Sequence, residues 1–425
     1  MRIGKGGEMR RVWIGAGVLI LLGGALPWVC RLPGEEGARV VQNGIDVLRE
    51  EGFARLAGKR VGLVTNHTGL ASDGVSTIEV LHRAGNLTLA ALFSPEHGIR
   101  GNLDEEKIGS SVDAPTGLPV HSLYGGTRRP TAAMLEGLDA LVFDLQDVGA
   151  RFYTYITTMG YCMEAAAGAG IPFYVLDRPN PIGGVRVEGP MLDPDRTSFV
   201  GYMPLPVRHG MTVGELARYF NEVKKIGVRL EVVPMRNWRR DDYFWDTGQL
   251  WVNPSPNMRA VTAALLYPGV CLLEQTNVSV GRGTDRPFEL VGAPWVEPRR
   301  LAARLRAAGI AGVEFVPVHF TPEAGPNRGR ECGGVSLVPL DGKRLESVKL
   351  GLTLMAVLQE LYPNKLEIDK AMTLLGNAEV LKILKQGGFP PESALERHPD
   401  FLKFLDRRRA ALIYHLPSGQ GRGGE

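Results

Sequence analysis

Residues 41–235 alternate short, unbroken apolar blocks with longer stretches of helical spacing. The blocks at 60–65 (RVGLVT), 87–93 (LTLAALF), 140–145 (ALVFDL) and 171–176 (IPFYVL) predict strands. Helices are predicted over 72–84 and 157–169, and a helix at 214–224 with a strand at 229–233 completes the unit. Strands that are apolar at every position are buried on both faces, which is the signature of a parallel sheet covered by helices. The texture changes near residue 236. Trp238, Tyr243, Phe244, Trp245 and Trp251 cluster there, ahead of Pro254-Ser255-Pro256-Asn257. A strand-like run at 270–273 leads into the polar, glycine-rich segment 276–285. Helices are expected near 298–308, 344–361, 377–387 and 400–413, with a strand at 313–318. The expected fold class is therefore α/β. A Rossmann-like, mostly parallel sheet domain over 41–235 precedes a smaller α+β domain over 236–425, whose loops wall a cleft above the sheet edge.

Each predicted strand runs into chemically capable side chains. The first leads to Asn66-His67-Thr68-Gly69 and the second to Ser94-Pro95-Glu96-His97-Gly98. The third ends in Asp144-Leu145-Gln146-Asp147 and continues to Gly149-Ala150-Arg151-Phe152-Tyr153-Thr154-Tyr155. The fourth ends in Asp177-Arg178-Pro179-Asn180-Pro181. One such end would mean little, because Asp and Asn also cap helices and start turns. Four ends of one parallel sheet lie on a common edge, where ligands of open α/β sheets bind.

The first thirty residues stand apart. A basic start (Arg2, Lys5, Arg10, Arg11) precedes an apolar run over 12–29, the order of an export signal or an uncleaved membrane anchor. Cys30 raises lipidation, against which Trp28 and Val29 occupy positions that favour small residues. A buried N-terminal helix is the remaining reading. The expectation is an exported protein that meets a membrane only through residues 1–30.

Composition narrows the classes further. The net charge of +3 over 425 residues offers no concentrated basic face, so no nucleic-acid partner is expected. Cys162, Cys271 and Cys332 are odd in number and widely spaced, which indicates neither a disulfide framework nor a zinc site. Core packing is expected for Cys162 and Cys271.

A dinucleotide site is the first thought for this architecture, but the first strand runs into Asn66-His67-Thr68-Gly69 instead of G-x-G-x-x-G. No P-loop and no G-x-S-x-G elbow occur. His67, His97, His121 and His209 lack paired metal-ligand spacing, so neither metal nor cofactor is expected. Carboxylates are the better candidates. Glu96, held in a turn between proline and glycine, suits a general acid if burial raises its pKa. Asp144 and Asp147 offer a base, a nucleophile or an acceptor for sugar hydroxyls, and Asp144 is equally well placed as a cap. Paired carboxylates beside aromatic rings are what glycoside cleavage requires. Tyr153 and Tyr155 are read as alternating on an extended segment, where either orients substrate or faces the developing cation. Arg151, Arg178, Arg208 and Arg282 are candidates to grip an acid group of the ligand, since the guanidinium fork matches a carboxylate. His209 precedes Thr212 and Glu215, a capping box, and reads as a cleft wall.

Taken together, the segments 93–98, 143–155, 177–181, 208–212, 254–257 and 276–284 resemble the exo-β-N-acetylmuramidase family, once catalogued as a domain of unknown function. The resemblance spans about residues 40–415. It implies release of N-acetylmuramic acid from the non-reducing end of peptidoglycan fragments, with muropeptides or disaccharides as partners. It also implies Glu96 as the leading catalytic residue, with Tyr153 or Tyr155 in the same cleft. Some relatives carry an acidic residue where this chain has Val280. The lactyl carboxylate of the sugar gives the arginines a purpose. The candidate catalytic set is Glu96, Tyr153, Asp144 and Asp147. The candidate substrate-binding set is Asn66, His67, His97, Arg151, Tyr155, Asp177, Arg178, Asn180, His209, Asn257, Asn277 and Arg282. An exported muropeptide-binding protein without turnover and a metal-dependent hydrolase using His67 and His97 are the alternatives.

Overall fold

The computed structural model describes residues 39–103, 105 and 107–415, and the leader at 1–30 lies outside them. The described residues from Arg39 onward form one compact unit. No helix among them is long and apolar enough to cross a membrane.

Among the described residues, nine strands occupy the first half: β1 (Arg60–Thr65), β2 (Thr88–Ser94), β3 (Ser111–Val112), β4 (Pro119–Ser122), β5 (Ala140–Asp144), β6 (Phe173–Leu176), β7 (Glu188–Met191), β8 (Pro206–Arg208) and β9 (Leu230–Val233). Seven of them build one sheet in the order β3-β4-β2-β1-β5-β6-β9, parallel except at β3. β7 and β8 form a separate antiparallel pair.

The four apolar blocks predicted as strands are β1, β2, β5 and β6, and the run after residue 229 is β9. Their alternating side chains feed two cores. Val61, Leu63, Ala140 and Val142 pack with Ile45 and Leu48 on one face. Val64, Phe93, Leu141 and Phe143 pack on the other, in a larger core that continues through the second half to Ala411. Order in the sheet fixes the site. The chain builds outward from β1 through β2 to β4, then returns to lay β5 on the opposite side of β1. The carboxyl ends of β1 and β5 flank the point where the winding reverses, which is where such sheets open a crevice.

Helix Tyr155–Gly168 comes after β5, and helix Val213–Val223 is fixed at its start by Thr212 and Glu215, the predicted capping box. The helix expected over 72–84 is shorter, Thr77–His82, because Ser76 caps it and the Ser72 amide bonds Asp46 instead (2.9 Å).

The second half contains β10 (Leu290–Ala293), β11 (Val313–Phe320) and β12 (Cys332–Pro339), an antiparallel sheet in the order β10-β12-β11. Helices Pro298–Ala307, Ser347–Leu361, Ala378–Lys385 and Pro399–Ala411 accompany it. The strand expected at 270–273 is helical. Val261–Val270 is an α-helix that tightens into a 3-10 turn at Cys271–Leu273. Every residue from Ala263 to Leu273 is buried, and a helix apolar on all sides carries no period to distinguish it from a buried strand.

Candidate active site

Three loops converge at the carboxyl edge of β1, β2 and β5. After β1, Asn66 Oδ1 accepts from the Thr68 amide (2.9 Å) and hydroxyl (2.7 Å), folding the chain into a tight turn. That leaves the Asn66 Nδ2 to donate to the Tyr155 hydroxyl (2.9 Å), which in turn donates to Pro254 O (2.5 Å). After β2, His97 adopts a left-handed backbone (φ 69°) and its Nδ1 donates to Leu103 O (2.7 Å). This turn presents the half-buried Glu96 to Thr154, whose hydroxyl donates to Glu96 Oε2 (2.5 Å).

After β5 the two aspartates part company. Asp144 is fully buried, takes the guanidinium of Arg178 on both oxygens (2.5 and 3.0 Å), and also accepts from the Thr77 hydroxyl. Its place is that of a cap between β5, β6 and helix Thr77–His82. Asp147, three residues on, accepts the Gly149 amide on Oδ2 (2.7 Å) and leaves Oδ1 buried without a partner. Gly149 holds φ 86°, and a Cβ there would stand 2.6 Å from Asn180 Oδ1, so only glycine serves. His209 is fully buried beside Asp147, with Nε2 at 3.6 Å from Oδ2. Full burial puts it in the interior and not on a cleft wall.

Tyr153 and Tyr155 do not alternate on an extended segment. Thr154 is already helical (φ −69°, ψ −14°), and Tyr155 opens the next helix. Their rings meet edge to face at 4.9 Å, and Tyr153 meets Tyr267 at 5.8 Å. Burial pushes both hydroxyls far above the usual tyrosine range, so both stay protonated. Burial is the main cause at Tyr155, and the charges of Glu96 and Asp147 push its hydroxyl in the same direction.

The arginines divide. Arg151 is buried and donates to the carbonyls of Pro190, Leu205, Leu374 and Leu375, and burial pulls its pKa down to about 9. Arg178 is held by Asp144 and Leu70 O, and Arg208 by Glu188 and Ile182 O. These three bind the protein to itself, which corrects the expectation that they grip a ligand. Arg282 differs, with a third of its side chain exposed beside Glu274 (2.6 Å).

Asp177 is also structural. It accepts from Gly214 N (2.8 Å), Thr212 (2.8 Å) and the Tyr414 hydroxyl (2.7 Å), and burial, reinforced by Glu215, pushes its pKa up to about 7. Asn180 bridges Met211 O (3.0 Å) and the Ile182 amide (3.2 Å). Asn277 joins Lys365 O (2.8 Å) to the Glu367 amide (2.9 Å), while Asn257 sits half-buried two residues from Ser255. His67 shares the Glu96 side of the crevice, its Nε2 donating to Asn253 O (2.7 Å). Burial, with His97 nearby, lowers its pKa. No group of three or more His, Cys, Asp or Glu side chains among the described residues is placed to hold a metal ion. Cys162, Cys271 and Cys332 are buried free thiols.

Sequence reasoning passed over Thr154, Ser255, Tyr267 and Glu274. Thr154 lay between two tyrosines that drew attention, and Glu274 lay just outside the glycine-rich motif. Neither carries a local signal; both enter through contacts distant in sequence.

Comparison with known proteins identifies the family. Residues 61–262 match the N-terminal model, and residues 265–414 the C-terminal model, of the exo-β-N-acetylmuramidase NamZ. The chain is 44% identical over 381 residues to the peptidoglycan β-N-acetylmuramidase NamZ of Bacillus subtilis (strain 168), covering 88% of this chain and 91% of that protein. Two solved DUF1343 family proteins from Bacteroides fragilis NCTC 9343 superpose with TM-scores of 0.80 and 0.70, at 36% and 30% identity. Each comparison covers 88% of this chain and 99% of the other. The chain belongs to the exo-β-N-acetylmuramidase family and is a glycosidase.

Proposed function

We propose that the protein hydrolyses the β-glycosidic bond of a terminal N-acetylmuramoyl residue at the non-reducing end of peptidoglycan fragments, with Glu96 as general acid. The observation that carries the role is the placement of Glu96: a half-buried carboxyl at the sheet edge, oriented by the Thr154 hydroxyl. In its protonated form it delivers a proton to the departing glycosidic oxygen while positive charge grows at the anomeric carbon. Of the four arginines considered, Arg282 retains exposure to meet the lactyl carboxylate of muramic acid. The basic start and apolar run at 1–30 support an extracytoplasmic setting, where wall fragments are met.

The test compares a nitrophenyl N-acetylmuramide with the corresponding N-acetylglucosaminide and with a natural muramoyl disaccharide. Wild type cleaves the muramides and spares the glucosaminide. Glu96→Gln loses far more rate on the disaccharide than on the nitrophenyl sugar, whose leaving group needs little protonation. Equal turnover by Glu96→Gln on the disaccharide overturns the assignment.

A further inference from the structure

Beyond the carboxyl end of β5 lie two buried polar groups of opposite hydrogen-bonding sense that the protein leaves unmatched. Asp147 Oδ1 is an acceptor with no partner, although Oδ2 is taken by the Gly149 amide. The Tyr153 hydroxyl is a donor that closes no well-formed bond, although Ser255 and Tyr155 are its polar neighbours. Buried polar groups are matched as a rule, and an unmatched pair at one place implies a ligand group that matches both.

The complement of one acceptor and one protonated donor is a secondary amide, which carries one N–H and one carbonyl. A ligand carboxylate would meet Asp147 as a like charge, and an ammonium would leave the Tyr153 donor unused. We propose that Asp147 and Tyr153 receive the 2-acetamido group of the sugar, Asp147 accepting its N–H and Tyr153 donating to its carbonyl oxygen. The assignment rests on the muramidase reading and names how that substrate is recognised. The acetyl methyl then lies among the rings of Tyr153, Tyr155 and Tyr267, an apolar lining. The acetamido carbon neighbours the anomeric carbon, which fits a receptor that includes Tyr153, the residue next to the Thr154 that holds Glu96.

His209 is the positioning residue. Its Nδ1 accepts from the Met211 amide (3.2 Å), so the ring proton resides on Nε2, facing Asp147 Oδ2 at 3.6 Å. With the Gly149 amide and this N–H both on the Oδ2 side, Oδ1 is the oxygen left to accept from a ligand.

Calorimetric titration of N-acetylmuramic acid and of muramic acid, which lacks the acetyl group, tests the receptor in wild type, Tyr153→Phe, Asp147→Asn and His209→Gln. Wild type is expected to prefer the acetylated sugar at least about 10-fold, the order expected for hydrogen bonds to buried groups. Tyr153→Phe removes only an unmatched hydroxyl, so it keeps its melting temperature while the preference shrinks several-fold. His209→Gln, which displaces the N–H facing Asp147 Oδ2, shrinks the same preference while binding of muramic acid stays as in wild type. Equal affinity of wild type for the two sugars, or an unchanged preference in Tyr153→Phe, overturns the receptor. A wild type that shows the preference but cleaves no muramide sinks the hydrolase reading and leaves the receptor standing. One that cleaves muramides with a preference indifferent to Tyr153 does the reverse.

Discussion

Asp144 and Asp147 leave the same strand three residues apart and end in opposite circumstances. Around Asp144 both carboxylate oxygens are taken: Arg178 and Thr77 donate to them, and Arg178 Nη2 also donates to Leu70 O. The neighbouring Asp177, Thr212 and Tyr414 are tied to one another in the same way. Around Asp147 and Glu96, the protein leaves a carboxylate oxygen, a tyrosine hydroxyl and an imidazole N–H unmatched. A saturated buried network spends its hydrogen-bonding capacity on holding the sheet edge together. An unsaturated one keeps that capacity for something else. The two aspartates thus divide into scaffold and candidate site by whether both oxygens are already bonded.

Four substitutions break or sharpen that contrast. Glu96→Gln should cut turnover of a muramoyl disaccharide by about 10²–10⁴-fold, the worth of a general acid, with chemical denaturation unchanged. Arg178→Ala should do the reverse in kind: it strands Asp144 in the interior and should cost about 3–5 kcal/mol of unfolding free energy, read from urea titration.

Asp177→Asn reports on the saturated side through pH. The native pKa of Asp177 is raised to about 7, above its value in the unfolded chain. Its contribution is therefore fully present below about pH 4 and is lost as pH rises through about 7. Melting curves across that window should be flatter in Asp177→Asn than in wild type; identical slopes would remove Asp177 from the account. The smallest effect belongs to the surface. Arg304→Ala breaks an exposed pair with Glu360 (2.7 Å) and should shift stability by less than about 1 kcal/mol in the same titration.

Much of the sheet was legible because β1, β2, β5 and β6 are continuous apolar blocks of strand length, and the polar residues after them mark one edge. The second half was harder to read. β12 begins Cys332-Gly333-Gly334, poor in the side chains that announce a strand. Its glycines are there because a Cβ would meet the Val296 and Val291 carbonyls at 2.2 and 2.1 Å. That close approach is a tertiary demand with no pattern in the neighbouring residues. The apolar run at 270–273 failed for the opposite reason, since total burial erased its period.

Glu96 was named from its turn, and the structure brings Thr154 to it from 58 residues away in sequence. Asp144, Arg151, Arg178 and Arg208 were named on residue type, and type could not tell a ligand's partner from a strut.

The sequence by itself determined the sheet, the edge on which chemistry gathers, and the family, because apolar periodicity and local motifs are written in consecutive residues. The tertiary structure alone decided which charged groups are free to act. That choice depends on which donors and acceptors meet in space. Burial makes each such meeting costly to leave unmade, so which atoms end unmatched, those at Asp147, Tyr153 and His209 among them, can be read only in three dimensions.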